Sequence, residues 1–204
     1  MKRESRLRIF VVVFTVMLVL FDQITKILVK TSMTLNEAIY VFGDWFQIRF
    51  IENPGAAYGM ELGGDYGKLT LSLIRIVAVG FLIYYIHTLI KKNSPKKVIV
   101  GFSLILVGAF GNIFDSLFYG MIFSESTVFS VAEFVKWGSG YSTFLHGNVV
   151  DMLYFPIINT VLPDWVPVLG GEPYVFFSPI FNIADSYITI GFLFLLIFCR
   201  KYFK

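Results

Sequence analysis

Four stretches of this chain, about residues 9–29, 69–90, 98–118 and 181–199, are apolar over the length a helix needs to cross a bilayer. A hydrocarbon core of about 30 Å takes roughly 20 helical residues. Backbone N–H and C=O groups find no partner in hydrocarbon, so segments of this kind must be helical. The first stretch is too long for the apolar core of a signal peptide, and no small-residue cleavage site follows it, so it reads as a span. Hydrophobic residues make up 56% of the 204, against about 45–50% in soluble domains. No Ser/Gly-rich or Pro-rich linker and no internal repeat divides the chain, so a single membrane-embedded domain over 1–204 is expected. The one cysteine, Cys199, ends the last span, which excludes an internal disulfide and a Cys/His metal cluster. Neither a metal nor a cofactor is expected.

Charge gives the orientation. Lys2, Arg3, Arg6 and Arg8 precede the first span; Lys91, Lys92, Lys96 and Lys97 join the second to the third; Arg200, Lys201 and Lys204 end the chain. These segments hold eleven of the seventeen basic residues with one acid, Glu4, a net +10; elsewhere six basic residues meet thirteen acids, a net −7. The positive-inside rule makes both termini and the middle hinge cytoplasmic. The overall +3 therefore reflects topology, and nucleic acid is not an expected partner.

Two long outer connections follow, about 30–68 and 119–180. Residues 38–51 alternate polar and apolar with β-branched and aromatic enrichment, then break at Asn53-Pro54-Gly55, the pattern of one or two short strands and a turn. Trp and Tyr favour the membrane interface, so an aromatic outer sheet is expected there.

Charges inside the spans cost about 2.5–3.5 kcal/mol each at the bilayer centre. Asp22, Lys26, Asp115 and Asp185 stand out. At about 1.5 Å per residue, Asp22 lies about 20 Å and Asp115 about 26 Å from the inner face, and Asp185 sits about one turn below the outer start of its span. All reach the outer third of the membrane. Asp22 and Lys26, four apart, suit a local ion pair; the alternative is substrate contact. Asn112 and Asp115, three apart and preceded by Gly108 and Gly111, suit a polar clasp between close helices. Asn182 and Asp185 repeat that spacing, and Asp151 stands just outside the spans. No Ser/His/Asp or Cys/His set is available, which leaves carboxylates. Two held a few Å apart in low dielectric share one proton, so that one activates water while the other polarises a carbonyl. Depth alone does not choose the pair among Asp22, Asp115, Asp151 and Asp185.

Five segments in order carry a resemblance: Asp22-Gln23-Ile24-Thr25-Lys26; Asn53-Pro54-Gly55-Ala56-Ala57-Tyr58-Gly59; Gly111-Asn112-Ile113-Phe114-Asp115; Val149-Val150-Asp151; and Phe181-Asn182-Ile183-Ala184-Asp185-Ser186. Together they resemble the lipoprotein signal peptidases, or signal peptidase II. The resemblance implies an all-α bundle of four transmembrane helices in the bacterial inner membrane, with a small periplasmic β-cradle and extended outer loops. It implies an aspartyl endopeptidase that removes signal peptides from prolipoproteins before a diacylglyceryl-modified cysteine, working near the periplasmic face. Its partners would be those lipid-modified substrates and membrane lipids. Asp151 and Asp185 would be catalytic, and Asp22, Lys26, Asn53, Gly55, Asn112, Asp115 and Asn182 would bind substrate or support the pair.

Three departures stand out. Ser116 occupies a position where the resemblance leads one to expect arginine, with Lys136 or Arg49 as possible substitutes. The connector from Asp115 to Asp151 is long, marking an insertion around 121–145. Met152 replaces an expected aromatic. The competing reading is a membrane scaffold or an ion-coupled transporter subunit, although carriers place such sites near the midplane and show repeat symmetry.

Overall fold

The computed structural model describes residues 3–55, 64–168 and 170–203. The segment Ala56–Gly59 of the second motif lies outside them. Four α-helices, α1 (Arg3–Ser32), α2 (Gly64–Lys91), α3 (Lys96–Ile122) and α4 (Ile183–Phe198), pack with six short strands. The first three are long and apolar enough to cross a membrane. The fourth is shorter than the sequence predicts: Phe181 lies in a strand and Asn182 caps the helix, leaving 16 helical residues, about 24 Å of axis. The third is longer, running four residues past 118 into the expected outer connection.

Helix α3 is the central helix and touches the other three. Small residues set its approach to α4: a Cβ on Gly108 would stand 2.1 Å from the Ala184 carbonyl oxygen, and one on Gly191 would stand 2.8 Å from that of Gly101. Side chains larger than hydrogen at such points would drive the helices apart.

The predicted alternating segment forms a hairpin, β1 (Ala38–Phe42) with β2 (Phe46–Asn53). This hairpin extends into a four-stranded antiparallel sheet of order β1-β2-β3-β6, where β3 is Val149–Tyr154 and β6 is Ile180–Phe181. Strands β4 (Ile158–Val161) and β5 (Pro173–Phe176) form a separate hairpin. The insertion is ordered by backbone pairing: Phe123 bridges Phe134, and the Leu35 N–H donates to the Thr127 carbonyl at 2.9 Å.

Two apolar clusters divide the core. One, including Leu7, Val11, Ile86, Val98 and Leu195, fills the half where the termini lie. The other, including Val29, Phe50, Tyr119, Phe123 and Val150, joins the helix ends to the sheet. Between them along α1 and α3 runs a buried polar layer of Asp22, Gln23, Lys26, Asn112, Asp115 and Ser116.

Candidate active site

Register brings the acids to this layer. Ile51 of β2 faces Asp151 of β3, and Asn53 faces Val149, so Asn53 and Asp151 are diagonal neighbours on one face of the sheet. Their side chains meet, Asn53 Nδ2 donating to Asp151 Oδ2 at 3.1 Å. The Gly55 N–H donates to Asn53 Oδ1 at 2.8 Å, which aims the amide nitrogen at the acid. Gly55 holds φ +100, a conformation costly for any residue with a Cβ, and a Cβ there would also stand 2.4 Å from Leu71 Cδ2. Asp151 is therefore a strand residue, not a loop residue.

Strand β6 pairs Phe181 with Leu153 of β3 and then passes directly into α4. That turn places Asn182 between both acids. Asn182 Oδ1 accepts from the Asp185 N–H at 2.9 Å, while the Asn182 N–H donates to Asp185 Oδ2 at 3.2 Å, a capping box. Asn182 Nδ2 donates to Asp151 Oδ1 at 2.7 Å. Asn112 Nδ2 donates to Asp185 Oδ1 at 2.7 Å, and its own Oδ1 accepts from Lys26 Nζ at 2.9 Å and Asn182 Nδ2 at 3.0 Å. Each oxygen of Asp151 and Asp185 thus receives at least one N–H donor.

Asp22 and Asp115 stand one step behind. Asp22 Oδ1 accepts from the Ala184 N–H at 2.8 Å, and Asp115 Oδ2 accepts from the Val150 N–H at 3.3 Å. Each therefore fixes the backbone of the residue just before Asp185 or Asp151. Lys26 joins the two, 2.8 Å from Asp115 and 3.1 Å from Asp22, all three side chains fully buried. The expected local ion pair is thus one side of a three-way cluster, and the expected clasp at Asn112 and Asp115 reaches α1, α4 and β3.

Burial first, and then the neighbouring charge of Asp185, push the Asp151 carboxyl up to about 7; the Asn53 and Asn182 hydrogen bonds and the Lys26 charge oppose that rise. Near neutral pH the pair can therefore carry a single proton.

The family model described as signal peptidase (SPase) II matches residues 14–201. This chain belongs to the signal peptidase II family. A lipoprotein signal peptidase of Porphyromonas gingivalis is 51% identical over 183 residues, which cover 89% of this chain and 79% of that one. Another, of Amoebophilus asiaticus, is 40% identical over 85% of this chain and 70% of its own. A solved bacterial membrane enzyme superposes with TM-score 0.59 at 27% identity, covering 92% of this chain and 90% of its own. The resemblance drawn from the five motifs is borne out, and with it an integral membrane protein.

Other residues reach the site that sequence reasoning passed over. Gln23 Nε2 donates to Asp115 Oδ1 at 2.9 Å, and Arg75 of α2 donates through Nη1 to Ser116 Oγ at 2.9 Å. The substitutes weighed for an arginine at Ser116 lie elsewhere: Arg49 packs over the Tyr154 ring, and Lys136 is exposed. Behind Asn53, Glu52 accepts from the buried Lys30, from Ser126 at 2.6 Å and from Asn148 at 2.9 Å, tying the insertion to β2 and the residue before β3.

Proposed function

We propose that this chain is a membrane-embedded aspartyl endopeptidase that removes signal peptides from diacylglyceryl-modified prolipoproteins, cleaving before the lipidated cysteine. One observation carries the assignment of the pair: Asp151 and Asp185, from a strand and a helix, converge on Asn182, with Asn53 and Asn112 holding their remaining sides. With one proton between them, the ionised carboxylate removes a proton from a water molecule as its oxygen attacks the scissile carbonyl carbon. The protonated partner gives its proton to the carbonyl oxygen, forming a neutral gem-diol. In the second half the C–N bond breaks: the first carboxyl returns its proton to the departing amine while the partner recovers one from a gem-diol hydroxyl, restoring the starting state. Asp185 suits the base, since it lies in the first turn of α4 and receives the N–H of its own helix cap.

The reading extends to placement. All four helices cross the bacterial inner membrane, with both termini cytoplasmic and the acids near the periplasmic face. The sheet forms a periplasmic cradle whose exposed Tyr40, Phe42 and Trp45 meet the membrane surface, supported by Phe46 stacked on Phe155 at 4.6 Å. Asp22, Lys26, Asn112, Asp115 and Asn182 position the pair, and Asn53 and Gly55 position Asp151 beside the substrate. Asp151→Asn and Asp185→Asn in the purified, folded enzyme should each abolish cleavage of a lipid-modified prolipoprotein. Near-parental turnover in either would overturn the pair.

A further inference from the structure

Helix α2 presents its polar side chains to the site in one stripe. Lys68, Ser72 and Arg75, spaced by four and three, share a helix face. Lys68 Nζ donates to Asn148 Oδ1 at 2.9 Å, Ser72 Oγ to the Leu145 carbonyl at 2.7 Å and Arg75 Nη1 to Ser116 Oγ at 2.9 Å. Further along that face the helix turns apolar, with Val79 and Ile86 buried in the inner core. A guanidinium within a span is costly unless it has a purpose. Here Ser116 supplies its anchor and in turn donates to the Asn112 carbonyl at 3.1 Å, one turn back on α3. Arg75 is thereby tied to the same helical turn whose Asn112 side chain holds Asp185.

The charges acting on this guanidinium are Asp185 from α4, Asp115 from α3 and Asp151 from β3. Among the described residues it forms no direct ion pair with any of them; the close pairs of Asp115 and Asp22 are with Lys26 of α1. Lys26 is already shared between those two acids, so α1 alone does not balance the layer. Lys30, also on α1, acts on Asp115 but is paired with Glu52, so the four carboxylates, Asp22, Asp115, Asp151 and Asp185, face two cations not otherwise paired, Lys26 and Arg75. One shared proton brings the four acids to three negative charges, and without Arg75 a single cation would remain.

We propose that Arg75 is a positioning residue of the catalytic pair: anchored on Ser116, its guanidinium is the positive charge that faces Asp151 and Asp185 from α2 and keeps the pair singly protonated at working pH. This rests on the Asp151–Asp185 reading. It also gives Ser116 a purpose. A small hydroxyl side chain on α3 accepts a cation delivered from the neighbouring helix, where a larger residue would fill its place.

The test is the pH dependence of kcat and KM, from pH 5 to 9, for the purified full-length enzyme cleaving a diacylglyceryl-modified prolipoprotein peptide. A cation beside the pair favours ionisation, so its removal raises both apparent pKa values. Arg75→Met should move both limbs of the profile upward by about 0.5–1 unit, a three- to tenfold loss of kcat on the acid side, with KM at the optimum little changed. Arg75→Lys should keep the parental limbs. The double variant Arg75→Met with Ser116→Arg, which returns a cation from α3 to the same contact, should move them back. Folded Arg75→Met with parental limbs would overturn the proposal, as would identical profiles for Arg75→Lys and Arg75→Met. If Arg75→Met does not fold, Arg75→Gln, which keeps a donor for Ser116 but carries no charge, gives the same comparison. A parental profile that is flat from pH 5 to 9 would count against the aspartate pair itself, whereas a bell that stays in place in the Arg75 variants counts against Arg75 alone.

Discussion

Replacing Asp151 by asparagine should stabilise the protein at alkaline pH, by a margin that shrinks steadily as the pH falls to 5. The folded carboxyl is held at about 7, against 3.8 for an aspartate in water. Between those values the folded state binds more protons than the unfolded one, so stability falls as pH rises through that window, and the cost is fully present above pH 7. Each unit corresponds to about 1.4 kcal/mol, which makes the whole cost about 4 kcal/mol. Asparagine resembles the protonated acid in shape and charge, including the donor that must fit among the amides of Asn53 and Asn182. Variant and parent should therefore nearly coincide only below about pH 4, and at pH 5 the variant should already lead by about 1.5–2 kcal/mol. By pH 8 the variant should lead by about 4 kcal/mol, so its lead should grow between pH 5 and 8 by several degrees of Tm at about 2–4 °C per kcal/mol for a chain of this size. Intrinsic tryptophan fluorescence during thermal unfolding in detergent, repeated from pH 5 to 8, measures the difference. A Tm difference that stays constant across that range would refute the reasoning, since it would mean that Asp151 ionises in the folded protein as readily as in the unfolded chain.

Lys26→Met should be the most damaging single change among the supporting residues, because it leaves Asp22 and Asp115 buried without their cation; a loss of about 3–5 kcal/mol is expected, read as failure to accumulate folded enzyme and eased by adding Asp115→Asn. Gly108→Ala pushes a methyl into the Ala184 backbone at 2.1 Å and should cost about 1–3 kcal/mol together with most of the turnover, since α4 carries Asp185. Gly80→Ala, where a Cβ meets nothing within 4 Å, should leave Tm and activity at parental levels or slightly higher. Glu52→Gln removes the carboxylate partner of the fully buried Lys30, leaving the Tyr141 and Phe123 rings around its ammonium; Tm should fall, and limited proteolysis should cut the 121–145 insertion faster.

The helices were legible because each fills a long apolar run, and the first hairpin because its residues alternate and then break at Asn53-Pro54-Gly55. The late start of α4, after the capping residue Asn182, was not, since Phe181 is apolar enough to pass for helix and only its pairing with Leu153 makes it strand. The fold of the insertion depends on distant backbone partners such as Leu35 with Thr127, which leave no periodicity to read. Within the site, Asp22, Asp115 and Asp185 announced themselves as charges in apolar stretches, whereas Asp151, outside them, stood out only by its Val149-Val150-Asp151 motif. Arg75 belonged to the same class as the first three and was detectable by its spacing from Lys68 and Ser72, but a single basic residue in an apolar run does not reveal which neighbouring helix it faces. The division of labour among the acids was invisible because it runs through main-chain N–H groups: nothing in the identity of Ala184 or Val150 indicates that an aspartate holds it.

The three carboxamides around the pair also bear on how long the enzyme lasts. Asparagine deamidates when the following backbone nitrogen attacks its side-chain carbonyl, and here the following residues are Pro54, Ile113 and Ile183. Proline has no N–H with which to begin, and a β-branched side chain crowds the approach. A single conversion of Asn53, Asn112 or Asn182 to aspartate would swap a donor for a further negative charge against Asp151 or Asp185. The neighbours that shape the turn and the two helices therefore also slow the chemical ageing that would silence the site.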